Sequence, residues 1–508
     1  MNKRIARLMC LLCAGALALT GCAAPKDSAP TAQLTLPPVS LRRTAPENDM
    51  NQSYTQTVML YLPSLDGSQL IAVPASAAFS AARHRAETLC ELLLAHPGTE
   101  YARPVAGEVT LSLSGTEAVE VSGNVATVSL GASALRLSHE ELFTVGQALA
   151  NTLCQFGDLQ YVNVLIAGAQ PGLNVAATLP AGSFQQNSRE DLATLWARAS
   201  APSSTARRSF AVTLYYPAPA GKGILCETRM LSFAAADLPA MTVTLLEALS
   251  AGAESLPGVP RCPDLKGMMA ADPVLDETGG ARRLVLRFTE EMNNALIASG
   301  ITRSVMVASL VCTITTFLPG IDGIEIRIGS EKVTSLTPSG TYFGAGDTLL
   351  FQDGLLRRRD FSSFLLAHCA LYFANSQGKL TKVYRPIPFY ETHNARALVQ
   401  QLMMGPQVYD SQNGLTAVLP EGLRDADLIG VSFENNTLLL NFSAQLQTLA
   451  ADFDAPAERR MVYALVNTLC EMQGVEKAAI YILGQQPEIL IKEVFLPGDF
   501  LPNYNLME

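Results

Sequence analysis

Asn467-Thr468-Leu469-Cys470 repeats Asn151-Thr152-Leu153-Cys154 residue for residue, and Ser309-Leu310-Val311-Cys312 stands midway, so the three cysteines are spaced by 158 residues each time. A period this long marks tandem domains rather than a solenoid of short repeats. The surroundings of each word recur as well. Downstream lies an apolar, β-branched run, at 162–166, 324–328 and 478–482. Upstream lies a hairpin pattern whose turns read Ser122-Gly123-Asn124, Glu277-Thr278-Gly279-Gly280 and Glu434-Asn435-Asn436. Gly and Asn there supply the positive φ of tight turns. Further upstream, helical periodicity spans 83–95, 238–251 and 393–404, each stopped by Gly or Pro. An opening strand (58–63, 212–217, 370–373) and a turn-rich bridge precede each of these helices. The long helix carrying the repeated word begins in the first copy with a Ser138/Glu141 capping-box pattern. Each unit therefore reads β-α-β-β-α-β. The fold class is α+β, with three tandem units in which two helices cover a small mixed sheet. A unit of about 115–120 residues can bury such a core.

At 508 residues, with 48% hydrophobic and 16% charged side chains, the chain has material for several real cores. Thirty-six Lys and Arg against 46 Asp and Glu give a net charge of −10, which argues against a nucleic-acid partner. Residues 1–21 read as a secretory signal: Lys3, Arg4 and Arg7, then an apolar run of about a dozen residues, too short to span roughly 30 Å of hydrocarbon. Leu19-Thr20-Gly21-Cys22 resembles the lipobox of bacterial lipoproteins, in which cleavage precedes the Cys and its thiol is diacylated. Cys22 is thus the expected lipidation site, and the chain is expected on the extracytoplasmic face of a cell membrane. The expected division is 1–21 signal, 22–56 flexible tether, 57–184 first unit, 185–208 linker, 209–345 divergent second unit, 346–368 hairpin and linker, and 369–508 third unit. Trp196 is expected to dock a short helix within the first linker, and 305–318 is expected to be a buried helix rather than a membrane span.

The repeated unit resembles the GerM, or sporulation and spore germination, domain. The third copy carries the resemblance best: Met404-Gly405-Pro406, Leu419-Pro420-Glu421-Gly422, Leu440-Asn441-Phe442-Ser443 and Val466-Asn467-Thr468-Leu469. The first copy replaces the Asn-Phe-Ser word with Val128-Ser129-Leu130, and the second has Met268-Met269-Ala270-Ala271 where the Leu-Pro word belongs. The resemblance implies a membrane-linked envelope protein of spore-forming bacteria, related in fold to ring-building modules of sporulation complexes. It supplies no catalytic residues and no cofactor.

The residues themselves offer little chemistry. Cys10 and Cys13 form the one C-x-x-C, inside the signal, so zinc and redox motifs are absent from the mature chain. Cys154, Cys312 and Cys470 hold one helical position in three units and read as small core residues. Cys226 and Cys262 fall in one unit and are a possible disulfide outside the cell. The five histidines show no metal spacing and read as surface or cap residues. The acidic pairs Glu140-Glu141, Glu290-Glu291 and Asp425/Asp427 sit at helix starts or in a loop. Arg357-Arg358-Arg359 reads as a solvated edge. The sequence thus predicts a non-enzymatic protein, with no catalytic, cofactor or metal residues, acting by binding or assembly. The expected partners are envelope or sporulation-complex proteins or peptidoglycan, with self-association through sheet edges open. Two other classes remain: a solute-binding lipoprotein of a transporter, and a cell-wall remodelling enzyme.

Overall fold

A computed structural model describes residues 43–50, 53–80, 83–115, 117–201, 208–234, 237–338 and 347–507. The expected signal, Cys22 and the tether as far as residue 42 lie outside the described residues.

The first repeat opens with a long antiparallel hairpin, β1 (Ser53–Pro63) and β2 (Leu70–Ser80), in continuous register. Helix α1 (Arg85–Ala95) follows, then β3 (Val119–Ser122), β4 (Val125–Leu130), α2 (His139–Leu153) and β5 (Tyr161–Ile166). Strand β4 lies between antiparallel β3 and parallel β5. After a linker helix α3 (Leu192–Ser200), the second repeat runs β6 (Arg208–Pro217), β7 (Ile224–Phe233), α4 (Leu238–Ala251), β8 (Met269–Asp276), β9 (Arg283–Phe288), α5 (Glu291–Ser299), α6 (Arg303–Phe317) and β10 (Gly323–Ile328). Short strands β11 (Glu331–Lys332), β12 (Ser335–Leu336) and β13 (Leu349–Leu350) trail it. The third runs β14 (Leu366–Ala374), β15 (Leu380–Pro388), α7 (Ala395–Met403), α8 (Val408–Gln412), β16 (Leu428–Glu434), β17 (Thr437–Phe442), α9 (Gln445–Leu449), α10 (Ala455–Leu469) and β18 (Lys477–Ile482).

The fold is α+β, as expected, but each repeat has one strand more than the sequence suggested. The turn-rich bridge returns as a full partner strand (β2, β7, β15), so a two-stranded hairpin stands beside each mixed sheet. The missed strands are weakly apolar: β2 reads LIAVPASAAFS, with half-exposed positions and a Pro, which blurs the period-2 signal.

Local rules explain the long helices. Ser138 and Glu141 complete the capping box on α2, and Asp454 caps α10 with Pro456 in its first turn. Helix α6 is buried along nearly its whole length, as expected for 305–318. Among the described residues, no single helix is long and apolar enough to cross a membrane.

Residues 45–508 form one compact body rather than three separate ones. One hydrophobic core runs through the first two repeats and takes in Ala367 and Phe389 of the third, which also has a core of its own around Phe373, Leu440, Phe442 and Leu465. A small cluster of Ala218, Leu225 and Leu366 joins the second repeat to the third. Two expected connectors belong to this body. The tether ends early: Ala45 is buried against Leu439, Ala479 and Tyr481, the Met50 amide donates to Val431 O (2.8 Å), and Asp49 meets Arg396 (2.6 Å). The stretch 346–368 is no loose linker either, since Phe361 and Phe364 are fully buried. The turn at Asp353-Gly354 forms, both residues at positive φ, but its arms do not pair with each other. Strand β13 joins β12, and Leu356 joins Ile324 of β10.

Candidate functional site

The repeated word does structural work. The Asn151 side chain holds the tail of its own repeat: its Oδ1 accepts from the Asn187 amide (2.8 Å) and its Nδ2 donates to Asn187 O (3.0 Å). Asn467 holds Asn503 in the same way (2.9 and 3.3 Å), 36 residues downstream in both cases. Thr152 Oγ1 accepts from the Tyr61 amide of β1 (3.1 Å), and Gln155 Oε1 accepts from the Met59 amide (2.9 Å). In the second repeat Thr313 Oγ1 accepts from the Tyr215 amide (2.9 Å), and Ser309 donates to Tyr215 O. In the first two repeats the long helix therefore ties the edge of the opening hairpin, where a backbone N–H left unpaired would cost about 1–3 kcal/mol; in the third the buried Thr468 hydroxyl has no hydrogen-bond partner among the described residues.

The cysteines are core residues. Cys90, Cys154, Cys226, Cys262, Cys312, Cys369 and Cys470 are all free. The disulfide considered for Cys226 and Cys262 is not formed: both thiols are buried, and Cys226 Sγ–H donates to Ser122 O (3.4 Å), across the seam to the first repeat. Burial pushes the Cys226 and Cys262 thiols up to about 12, far from the thiolate a nucleophile or metal ligand needs. Among the described residues no cluster of His, Cys, Asp and Glu could hold a metal.

The basic run 357–359 is not a simple solvated edge. Arg358 is buried in the seam between the first two repeats. Its guanidinium pairs with Glu120 of β3, donates to Thr316 Oγ1 of α6 (2.7 Å) and donates to the Tyr215 hydroxyl of β6 (3.0 Å). A second polar row runs beside it: Asn163 Nδ2 donates to Thr213 Oγ1 (3.0 Å) and Ser183 Oγ donates to Asn163 Oδ1 (2.7 Å). The neighbouring Arg359 is exposed and flanks two clefts of about 330 and 260 Å³ that meet at Arg358, Ala167 and Gly168. The larger of the two also takes in Arg357 and Asp322. Sequence reasoning missed the burial of Arg358, since nothing local separates the middle arginine from its neighbours.

The histidines differ from the expected surface placement in one pair. His84 caps α1, its Nδ1 accepting from the Ala86 amide (3.1 Å), and its ring lies 6.0 Å from that of His393 in the third repeat. Burial, then the His393 ring, pulls His84 down to about 3, and burial pulls His393 down to about 4. Beside them Arg85 pairs with Asp158 (2.8 Å), and Gln473 of the third repeat donates to Asp158 (3.0 Å).

Sheet edges are guarded. The β3 hairpin is held by Ser122 Oγ donating to Leu366 O (2.6 Å). The β16 edge carries Met50, and β8 has two register irregularities and Pro273. Such devices blunt strand addition, so the sheet extension expected for self-association meets a bridged edge at β16 and a broken ladder at β8.

Comparison with known proteins places these features. Among curated proteins none matches the chain. Among solved structures, the tandem GerMN domains of the sporulation protein GerM from Bacillus subtilis align at 16% identity and TM-score 0.23, over 57% of this chain and 98% of that one. The first GerMN domain of the same protein aligns at 18% identity and TM-score 0.22, over 27% and 97%. A crystal structure described as a lipoprotein of Clostridium perfringens aligns at 16% identity and TM-score 0.19, over 27% and 87%. At these scores the likeness fixes neither the arrangement of the repeats nor an activity. In sequence, residues 370–488, which hold the second half of β14, all of β15 to β18 and the second copy of the Asn-Thr-Leu-Cys word, match the family model Germane, described as sporulation and spore germination.

Proposed function

We propose that this chain is a lipid-anchored envelope protein, attached through Cys22 on the outer side of the cell membrane. It serves sporulation or spore germination by binding other envelope components, and not by catalysis. The observation that carries the reading is the match of residues 370–488 to the sporulation and spore germination model. The Leu19-Thr20-Gly21-Cys22 word supports the anchor. The non-catalytic role draws support from where the reactive types sit. Buried cysteines fill cores, and Arg358, Glu120, Asn163 and Thr213 join repeats to one another.

The test is a strain lacking the gene beside one carrying Cys22→Ala. Loss of heat-resistant spores or of germination in both is expected. Normal sporulation and germination in both overturns the reading. A defect confined to the deletion strain keeps the sporulation role and removes the anchor from it.

A further inference from the structure

Each mixed sheet has an inner face on its helices and an outer face turned away from them, and the three outer faces differ in what covers them. In the first repeat, Thr127 and Asn163 meet Tyr215 and Thr213 of β6. In the third, Leu439, Ala479 and Tyr481 bury Ala45, and Pro46 O accepts from Asn441 Nδ2 (2.9 Å). That cover is the irregular segment 45–50, bent at Glu47-Asn48, whose acidic Asp49 pairs with Arg396 of α7. Gly430 leaves room for it, since a Cβ there would stand 2.7 Å from Asn48 N and Pro46 O.

The second repeat covers its outer face with its own charged side chains, which bury Val285 and Glu325 beneath them and make the face basic. Alternation along β9 and β10 sends Leu284, Leu286, Phe288, Ile324, Ile326 and Ile328 into the core. Arg283, Arg287, Glu325 and Arg327 therefore point outward. Lys332 stands opposite Arg327. Glu325 gathers Lys332 (2.7 Å), Arg327 (2.9 Å) and Arg283 (3.4 Å), and Asp276 is the cross-strand neighbour of Arg283. Four cations thus face two carboxylates, on a chain whose net charge is −10. Among the described residues Arg287 has no carboxylate within ion-pair distance. It stands directly beside Arg327 in the parallel register, and Val274 on the same face is 45% exposed.

We propose that this face receives an extended, acidic segment of a partner protein. The equivalent face of the third repeat is covered by a segment that carries Glu47 and Asp49, with Asp49 anchored on Arg396 of the neighbouring helix α7. Charge complementarity selects acids for the second. Arg283 and Arg287 lie four residues apart on one strand, roughly 13 Å, so an extended chain with acids on alternate residues can meet both. The inference rests on the binding role proposed above, but its assay is independent of spore phenotype, so the two fail separately.

The probe is a fluorescein-labelled peptide alternating Glu with Val, titrated by anisotropy with the full-length chain produced without lipid. Binding that falls as salt rises and weakens about tenfold or more in Arg287→Glu is expected, with Arg459→Glu, an exposed arginine on α10, leaving it unchanged. Arg287→Gln gives a smaller loss in the same direction and serves if the reversal fails to fold. Equal loss in Arg459→Glu means general charge attraction and overturns the site. No peptide binding, or Arg287-dependent binding only to phosphatidylglycerol vesicles, overturns the partner class.

Discussion

The first repeat touches both of the others, and the two contacts are built differently. Against the second it shares one apolar core, with a buried arginine–carboxylate pair and a row of Asn, Thr and Ser hydrogen bonds across the seam. Against the third, which has a core of its own, it offers the Tyr54–Phe433 edge contact (5.3 Å), Ser122 on Leu366 O, the His84–His393 pair and Gln473 on the Arg85–Asp158 bridge. A shared core makes two repeats fold as one. The third makes weaker contacts, of single aromatics, caps and half-exposed ion pairs, each worth about 1 kcal/mol or less, beside the apolar docking of Leu366, Ala367 and Phe389, and is expected to unfold in a separate step. Trp196, the sole tryptophan, packs on Phe143 in the first repeat (5.6 Å) and reports that half alone.

The largest expected effect breaks the seam. Arg358→Met strands Glu120 in the interior and leaves Thr316 and Tyr215 without their donor, a loss of about 3–5 kcal/mol. The Trp196 fluorescence transition in urea moves to lower denaturant, while the part of the circular dichroism change belonging to the third repeat stays in place. Replacing both partners, with Glu120→Leu added, recovers most of the loss. A Trp196 transition unmoved by Arg358→Met would show that the pair holds nothing.

The same probe sharpens the comparison at the repeated word. Asn151→Ala and Asn467→Ala each free a tail and orphan one backbone amide, about 1–3 kcal/mol. Asn151→Ala shifts the Trp196 transition, whereas Asn467→Ala shifts only circular dichroism. If both move Trp196 equally, the third repeat does not unfold independently.

The remaining effect is in pH. His84 and His393 are held well below 6.5 by burial, so between about pH 4 and 6.5 the unfolded chain binds protons that the folded one refuses. Stability is therefore complete above 6.5 and declines as pH falls through that window. Arg85 opposes protonation of His84 further, and Asp158 partly offsets it. Melting followed from about pH 8 to pH 4 shows the decline, and His84→Asn, which keeps a cap acceptor on α1, flattens it. A decline of the same size in His84→Asn assigns it to other groups.

Much was legible without coordinates because it is local. Ser138 and Glu141 form their capping box, 303–317 is a buried helix, the hairpin turns fall where Gly and Asn stand, and Trp196 docks its short helix. Other features were hidden because they depend on distant partners. The second hairpin strand lacked a clean alternation, the middle arginine of 357–359 looked like its neighbours, and residues 45–50 read as tether because their partners stand some 380 residues later.

The α+β class and the long helices and turns of the recurring pattern could be read from the chain alone, since periodicity, caps and turn residues act over a few positions and need no knowledge of the whole; the partner strands β2, β7 and β15 could not. Tertiary structure decided which repeats share a core, which outer faces are covered and which arginine is buried. Those depend on surfaces meeting across hundreds of residues, where burial and the pairing of charges are settled by neighbours in space.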